Sequence, residues 1–215
     1  VTSIGNWVFS GCTGLTSITI PDSVTSIGSD AFSGCTGLTS VTIPDSVTSI
    51  GSSAFSDCVN LQQINLGHGL ETINEQSFVR CLSLREVVLP ARVKTIGEGA
   101  FEACKKLTNL TIPKSIASIG EGAFAACEKL VTITVDSNNP NYVSVDDVIF
   151  NKDKIQTLTE DIKELEKTYE DLIARAKAAK SGEELFAVHQ EYYKFTGEAN
   201  SNYTIDSIRH DIDTT

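Results

Sequence analysis

The sequence predicts a repeat solenoid of parallel β-strands and short helical turns, followed by an α-helical hairpin or coiled coil. Two observations indicate this fold class. Phe-x-x-Cys recurs with a fixed period of 23 residues, six times between Phe9 and Cys127, and a fixed period of about 20–50 residues is typical of solenoids. After Asp153 this rhythm stops, and apolar residues recur at alternating spacings of three and four, which is a heptad pattern.

Each Phe-x-x-Cys is followed by an apolar pattern of the form L-x-x-I-x-I, which begins at Leu15 in the first repeat. A Pro or Gly then turns the chain, and a second apolar pair follows, such as Val24 and Ile27. Stacked in register, each apolar position becomes a column that fills one shared core, with neighbouring strands about 4.8 Å apart. A single repeat could not bury its apolar face alone, whereas stacked neighbours bury it for each other.

The end of each repeat carries a residue that we expect to adopt a positive φ angle, because this conformation favours glycine. Asparagine is the residue that best replaces glycine in that region. These positions are Gly5, Gly28, Gly51, Asn74, Gly97 and Gly120.

The six cysteines occupy one equivalent position in the repeats, and we expect them to form a structural ladder of reduced, buried thiols beside the Phe and Leu columns. Neighbouring Cα atoms at about 5 Å would also permit disulfides. The sequence has no Cys-x-x-Cys spacing and no nearby histidine, so we predict neither a metal site nor a cofactor. The ladder consists of Cys12, Cys35, Cys58, Cys81, Cys104 and Cys127.

The full unit, L-x-x-I-x-I-P-x-x-V-x-x-I-G-x-x-A-F-x-x-C-x-x, resembles the BspA-like (Treponema pallidum-type) leucine-rich repeat, and residues 17–28 match it position for position. Residues 138–152 are similar to the segment that ends such arrays. The resemblance covers residues 1–153. It implies six repeats over 1–135, the first one truncated, and a C-terminal cap over 136–153. It also implies bacterial cell-surface or secreted proteins that adhere to host proteins or other cells without catalytic residues.

Outward positions of the first strand offer a surface for recognition, because strand side chains alternate between the two faces. In the third to fifth repeats, short hydroxyl residues give way to amides, a carboxylate and a valine. Arg80, Arg85 and Arg92 follow 79 residues that contain no Lys or Arg, which favours an acidic partner. Alternatively, these positions are soluble fillers that suit a strand. The candidate ligand-binding residues are Gln63, Asn65, Arg85, Glu86, Val88, Asn109 and Thr111.

Residues 154–196 predict an antiparallel helical hairpin, and a dimeric coiled coil is the alternative. The heptad stripe consists of Ile155, Leu158, Ile162, Leu165, Tyr169, Leu172, Ala176 and Ala179. Thr157 with Glu160 and Ser181 with Glu184 have the spacing of capping boxes at helix starts. The apolar face of the second helix would comprise Leu185, Val188 or His189, Tyr192 and Phe195.

Residues 197–215 predict a short third helix or a flexible acidic tail, with apolar residues at Ile205, Ile208 and Ile212. The residues of the helical part indicate no particular family. The sequence begins at Val1 and contains no Met, which favours a processed or excised piece of a longer chain.

The net charge of −11 argues against nucleic acid as a partner, because its phosphates reward basic patches. No apolar run approaches the roughly 20 residues of a membrane span. The three histidines are dispersed, and the sequence contains no H-E-x-x-H motif or phosphate-binding loop, so we expect no enzyme. His68, His189 and His210 lie in different elements.

Two functions remain. The first is a cell-surface or secreted module for binding or adhesion, which recognises a protein or glycan through the strand face of the repeats. The second is a structural spacer or assembly protein that oligomerises through the acidic heptad region. A monomer would weaken the second function, and a coiled-coil dimer would favour it.

Overall fold

The computed structural model describes residues 1–145 and 148–196. The chain forms two units, of which the first is Val1–Asp153 and the second begins at Lys154. The third helix or tail predicted for 197–215 lies outside the described residues. The same holds for the side chains of Leu158, His189, Tyr192 and Phe195.

The first unit is a parallel β-solenoid of repeats that stack with a period of 23 residues, as the sequence predicts. We number the repeats by their Phe-x-x-Cys motif. The strands of the solenoid are Ser3–Ile4 (β1), Ser26–Ile27 (β2), Ser40–Thr42 (β3), Ser49–Ile50 (β4), Gln63–Asn65 (β5), Thr72–Ile73 (β6), Thr95–Ile96 (β7), Asn109–Ile112 (β8), Ser118–Ile119 (β9) and Thr132–Val135 (β10).

Two parallel sheets run along the array. One has six strands in the order β1-β2-β4-β6-β7-β9 and is built from the second apolar pair of each repeat. The other is built from the L-x-x-I-x-I strands and contains the pairs β3-β5 and β8-β10. Glu86 bridges both Gln63 and Asn109, so the fourth repeat continues this second sheet. Every pairing joins residues 23 apart, such as Ser40 with Gln63.

The core between the sheets consists of columns of identical or similar side chains. The six phenylalanines of the Phe-x-x-Cys motifs form a continuous stack from Phe9 to Phe124, with ring centroids 5.0–5.8 Å apart and planes 8–12° from parallel. Phe32, Phe55 and Phe78 are fully buried. Aromatic rings bury large apolar surfaces and prefer offset packing over a face-to-face sandwich, so this column is a main source of cohesion between repeats.

The residues with positive φ angles are not the consensus glycines, so this part of the sequence prediction is wrong. Each repeat instead has two left-handed positions in the turns that flank its phenylalanine. The first set is Trp7, Asp30, Ser53, Gln76, Gly99 and Gly122, and the second is Gly11, Gly34, Asp57, Arg80, Ala103 and Ala126.

The consensus glycines are needed for a different reason, which Gly97 illustrates. A Cβ atom at Gly97 would lie 2.5 Å from the backbone nitrogen of Glu75 and 2.6 Å from the carbonyl carbon of Asn74. These backbone atoms belong to the preceding turn of the solenoid and cannot move independently. Glycine is therefore required by the close approach of two backbones. Asn74, which replaces the glycine once, donates a hydrogen bond from Nδ2 to the Ile50 carbonyl at 2.9 Å.

An antiparallel hairpin follows the last repeat, formed by Tyr142–Val145 (β11) and Val148–Asn151 (β12). Asn139 precedes it and is 1% exposed. Its Nδ2 donates to the carbonyls of Pro113 and Ile116 at 2.9 and 3.2 Å. Its Oδ1 accepts hydrogen bonds from the backbone nitrogens of Asn141 and Tyr142 at 2.8 and 2.9 Å.

The Tyr142 hydroxyl accepts a hydrogen bond from the backbone nitrogen of Ile119 at 2.9 Å. Ile119 lies in β9, which is the last strand of the six-stranded sheet. A phenolic oxygen therefore takes the place that a strand of a further repeat would otherwise occupy. Together, Asn139 and Tyr142 satisfy backbone groups at the end of the array.

The second unit contains two helices, Lys152–Ala178 (α1) and Gly182–Thr196 (α2), of which α1 begins just inside the first unit. Thr157 lies within α1, so the capping box predicted at Thr157 and Glu160 is wrong. At α2, Ser181 Oγ accepts a hydrogen bond from the Glu184 nitrogen at 3.2 Å. The Glu184 carboxylate in turn accepts one from the Lys180 nitrogen at 2.7 Å. Ser181 and Glu184 thus cap α2.

The two helices contact each other near their connecting turn. Leu172 of α1 and Leu185 and Val188 of α2 are buried. The Arg175 guanidinium donates to both carboxylate oxygens of Glu191, at 2.8 and 3.1 Å. α1 has 27 residues and α2 has 15, so α2 is too short to cover the first half of α1. The heptad positions Ile155, Ile162 and Leu165 there are 40%, 54% and 53% exposed.

Candidate interaction surface

The outward face of the second sheet carries the predicted ligand-binding residues. We call it the sheet face, and it consists of the outward-pointing residues of β3, β5, β8 and β10 together with Glu86 and Val88 of the fourth repeat. The alternation of buried and exposed residues along β5 and β8 follows from the L-x-x-I-x-I pattern, whose apolar positions point into the core. Six candidates are brought together on this surface and Arg85 lies at its edge. All seven are exposed: Gln63, Asn65, Arg85, Glu86, Val88, Asn109 and Thr111.

Some side chains of the sheet face already contact their neighbours. Asn65 Nδ2 donates to Thr42 Oγ1 at 3.4 Å, and the hydroxyls of Thr111 and Thr134 lie 3.2 Å apart. Val88 stands in the same column between Asn65 and Thr111 and is 70% exposed. A valine in this column cannot hydrogen-bond to either neighbour. The fourth repeat therefore presents an apolar site within a polar surface.

The structure does not bring the three arginines of the fourth repeat into one cluster. Arg80 lies in the turn beside Cys81, and its Nε contacts Asp57 Oδ1 at 2.7 Å. Arg92 contacts Glu71 Oε1 at 2.7 Å from the opposite turn. Both are paired with an acidic residue of the preceding repeat. Only Arg85 borders the sheet face, and no ion pair involves it within the described parts of the chain.

Two further ion pairs, both formed by lysines, link consecutive repeats in the turns of the array. Lys94 joins Arg92 on Glu71, at 3.2 Å from Oε2, and both cations hold the pKa of the Glu71 carboxyl below its ordinary value. Lys105 Nζ contacts Glu128 Oε1 at 2.7 Å. All of these pairs are exposed and link consecutive repeats. Exposed pairs of this kind each contribute little to stability.

Four members of the cysteine ladder are buried inside the array, and all six thiols are free. Five of them donate hydrogen bonds to the phenylalanine carbonyl of the preceding repeat, at 3.1–3.3 Å. Burial raises the pKa of Cys58 to about 12 and that of Cys127 to about 11. It also raises the pKa of Cys35, Cys81 and Cys104. These thiols stay protonated and are poor nucleophiles at neutral pH.

Cys12 is exposed, so the expectation of six buried thiols is wrong for this position. Cys12 belongs to the first repeat, where neighbouring side chains such as Val8 are also exposed. No repeat covers it from the N-terminal side in the described chain.

The two classes of thiol should differ in their rate of alkylation. In native protein at pH 8, we expect Cys12 to react within minutes and Cys127, which is partly exposed, to react more slowly. Cys35, Cys58, Cys81 and Cys104 should react only after denaturation, because reagents cannot reach them and their pKa values are raised. Mass spectrometry of time points with iodoacetamide measures this, and rapid labelling of three or more thiols would contradict the assigned packing.

Over residues 1–145 and 148–196, no group of three or more His, Cys, Asp or Glu side chains is placed to hold a metal ion. Neither α1 nor α2 combines the length and apolar character that a membrane span requires, as far as these helices are described.

The fold and its exposed parallel sheet define a leucine-rich repeat solenoid. The chain belongs to the family with the BspA type leucine rich repeat region, whose model matches it in six copies over residues 1–108 and 94–172. Proteins of this kind are generally protein-binding or adhesion-type modules, and generally non-catalytic.

Solved structures of bacterial leucine-rich repeat proteins are similar to the array. The T. pallidum leucine rich repeat protein is 32% identical, with a TM-score of 0.57 over 61% of this chain and 62% of that one. A leucine rich cell surface protein of Faecalibacterium prausnitzii is also 32% identical, with a TM-score of 0.57 over 71% and 47%. A protein of Bacteroides ovatus is 35% identical, with a TM-score of 0.53 over 56% and 33%. The chain thus covers less than two thirds of each of these proteins.

The helical unit has a different similarity, because residues 153–215 match the Peptidase M3 N-terminal domain. This match begins where the structure separates the two units. The heptad spacing in the sequence does not indicate it, since many unrelated helical domains share such spacing. A comparison with curated proteins found no match.

Proposed function

We propose that this protein is a non-catalytic binding or adhesion module at the cell surface or in a secreted form. It recognises a protein or glycan through the sheet face of repeats 3–5. The observation that carries the proposal is the sheet face itself, a regular surface on which Gln63, Glu86 and Asn109 are aligned by strand register. Such a surface allows one ligand to contact several repeats.

Repeats 3–5 are favoured over repeats 1 and 2 because only they carry varied chemistry. Ser40 and Thr42 of repeat 2 are short hydroxyl residues, and repeat 1 has the same residue types. Glu86 adds a charge and Val88 adds an exposed apolar side chain. Side chains of different chemistry can distinguish one partner from another.

The experiment is a binding screen of the full chain against extracellular-matrix proteins and glycans, followed by two variants. For any ligand found, we expect E86A/V88S/N109A to weaken binding about tenfold or more, because truncating central contacts typically costs over 1 kcal/mol. The control S17A/S40A changes the same face in repeats 1 and 2 and should bind normally. If the first variant is folded and binds like the unmodified protein, the ligand does not use this face.

A second candidate function concerns the helical unit, and it rests on the match of residues 153–215 to the Peptidase M3 N-terminal domain. In this case the array would hold a peptidase-type domain close to its partner, with the described helices as the N-terminal part of that domain. The exposed heptad positions of α1, such as Ile162, would then contact other parts of that domain.

The assembly role remains a third alternative for the same exposed stripe. The internal contacts of the hairpin, among them Arg175 with Glu191, favour a hairpin that is complete in one chain. Light scattering distinguishes a monomeric hairpin from assembly through α1. A mass near 23.1 kDa fits the hairpin, whereas a dimer that is lost on Ile162→Glu substitution would favour assembly through α1.

A further inference from the structure

The basic residues of the array divide into two groups with different surroundings. Residues 1–135 contain eight Lys or Arg. Four of them are paired with acidic side chains in the turns: Arg80, Arg92, Lys94 and Lys105. In the described chain, the other four take part in no ion pair: Arg85, Lys106, Lys114 and Lys129. Three of these four lie at one edge of the second sheet, where the strands of repeats 4–6 begin.

The backbone register places these three residues at neighbouring positions of consecutive repeats. Thr108 donates a backbone hydrogen bond to the Arg85 carbonyl at 3.3 Å, and Val131 donates one to Thr108 at 3.1 Å. Arg85 and Val131 therefore stand in one column of three consecutive repeats. Lys106 and Lys129 each lie two residues earlier in their repeats, and the strand register aligns them with each other. We call Arg85, Lys106, Lys129 and Val131 the basic edge.

The unpaired positive charge of the basic edge and the exposure of its valine both favour a role in binding a partner. Lys106 and Lys129 occupy the same position of neighbouring repeats, where like charges repel each other at a backbone spacing of about 4.8 Å. The nearby Glu128 carboxylate already contacts Lys105, and Glu86 points to the sheet face. Val131 is 67% exposed beside these cations. The chain as a whole is acidic, with a net charge of −11, so this concentration of unpaired positive charge is a local exception.

We propose that the basic edge binds an acidic segment of a protein partner, which lies in extended form across repeats 4–6. Its carboxylates contact Arg85, Lys106 and Lys129, and an aliphatic side chain packs on Val131. The apolar contact favours a polypeptide over a sulfated glycan, which has no aliphatic side chain to cover a valine. This inference rests on the proposed binding function and names the chemistry of the partner.

The test selects peptides from a displayed library of random dodecapeptides on the full chain. We expect enriched peptides to carry several Asp or Glu residues and at least one aliphatic residue. A synthesised winner should bind R85A/K106A/K129A about tenfold more weakly or worse, because charge-assisted contacts are lost. The matched control R92A/K94A/K114A removes the same amount of charge elsewhere on the array and should change the affinity less than about twofold.

Three results would overturn the inference. Selected peptides could lack acidic residues, or acidic winners could bind both triple variants equally. Heparin could also bind through the basic edge while no peptide does, which would assign the surface to a glycan. If the winners instead lose affinity only in E86A/V88S/N109A, the proposed binding function stands and the basic edge is not its site.

Discussion

Substituting Gly97 with valine should unfold much of the array, with a loss of stability of about 3 kcal/mol or more, because overpacking against fixed backbone is costly. The first side-chain atom alone would lie 2.5 Å from the Glu75 nitrogen. That nitrogen belongs to the backbone of the preceding solenoid turn, so relief would require the two turns to separate. Urea denaturation followed by circular dichroism measures the effect.

The control for this experiment is Gly99→Ala. It tests the cost of a positive φ angle, whereas Gly97 tests the close approach of two backbones. Gly99 has a φ of +56°, and the nearest atom to an added Cβ is the flexible Glu102 carboxylate at 3.1 Å. We expect a cost of about 1–2 kcal/mol, as for other residues in the left-handed region. Gly97→Ala should cost clearly more than Gly99→Ala. The opposite order would mean that φ, and not the approach of the backbones, explains the consensus glycine.

The second large effect is expected at the C-terminal end of the array, for Asn139→Ala. The substitution leaves the backbone nitrogens of Asn141 and Tyr142 without the oxygen that now accepts from them. The carbonyls of Pro113 and Ile116 lose one donor each but keep the Ile116 nitrogen and Asn141 Nδ2. Each unsatisfied buried group costs about 1–3 kcal/mol, so the two nitrogens together predict a loss of about 2 kcal/mol or more. Hydrogen exchange should show the loss first in the last repeat.

Tyr142→Phe is a milder change at the same end of the array, since it removes one hydroxyl acceptor and keeps the ring. The Ile119 nitrogen loses its partner, and we expect a cost of about 1 kcal/mol. Asn139→Asp is the near-isosteric comparison. It places an oxygen against the Pro113 carbonyl where an amide now donates, and should destabilise nearly as much as alanine. An Asn139→Asp protein as stable as the unmodified one would contradict the assigned amide orientation.

The sequence predicts the features of this protein that repeat. The 23-residue period determines which side chains point inward, because each apolar column must pack on itself. It therefore predicts the phenylalanine stack and the exposure of Glu86 and Val88. The heptad spacing likewise predicts helices, and Ser181 with Glu184 marks the start of α2. These features depend on residues close in sequence or at one fixed separation.

The features that the sequence analysis missed depend on contacts between neighbouring turns. Left-handed positions carry residues as different as Trp7, Ser53 and Gln76, so residue type gives no signal for them. The role of Gly97 depends on how closely two backbones stack. Arg80 and Arg85 are both arginines near the same strand, yet only the structure shows that Asp57 pairs with one of them. Lys106 and Lys129 could have been found, since they are separated by one period.

The pairing of each repeat with its immediate neighbours has a consequence for how such an array changes in length. Residues 9–29 and 32–52 differ only at Ile18 and Val41. Deleting residues 32–54 would place nearly the same side chains against repeat 3, with Ile18 in place of Val41 and Asp30 in place of Ser53, and would keep the same backbone donors and acceptors at the junction. The array would become about 4.8 Å shorter, while the basic edge and the cap would keep their surroundings. Recombination between near-identical repeats can therefore change the length of the array in steps of one turn while the residues of the basic edge and the cap stay the same.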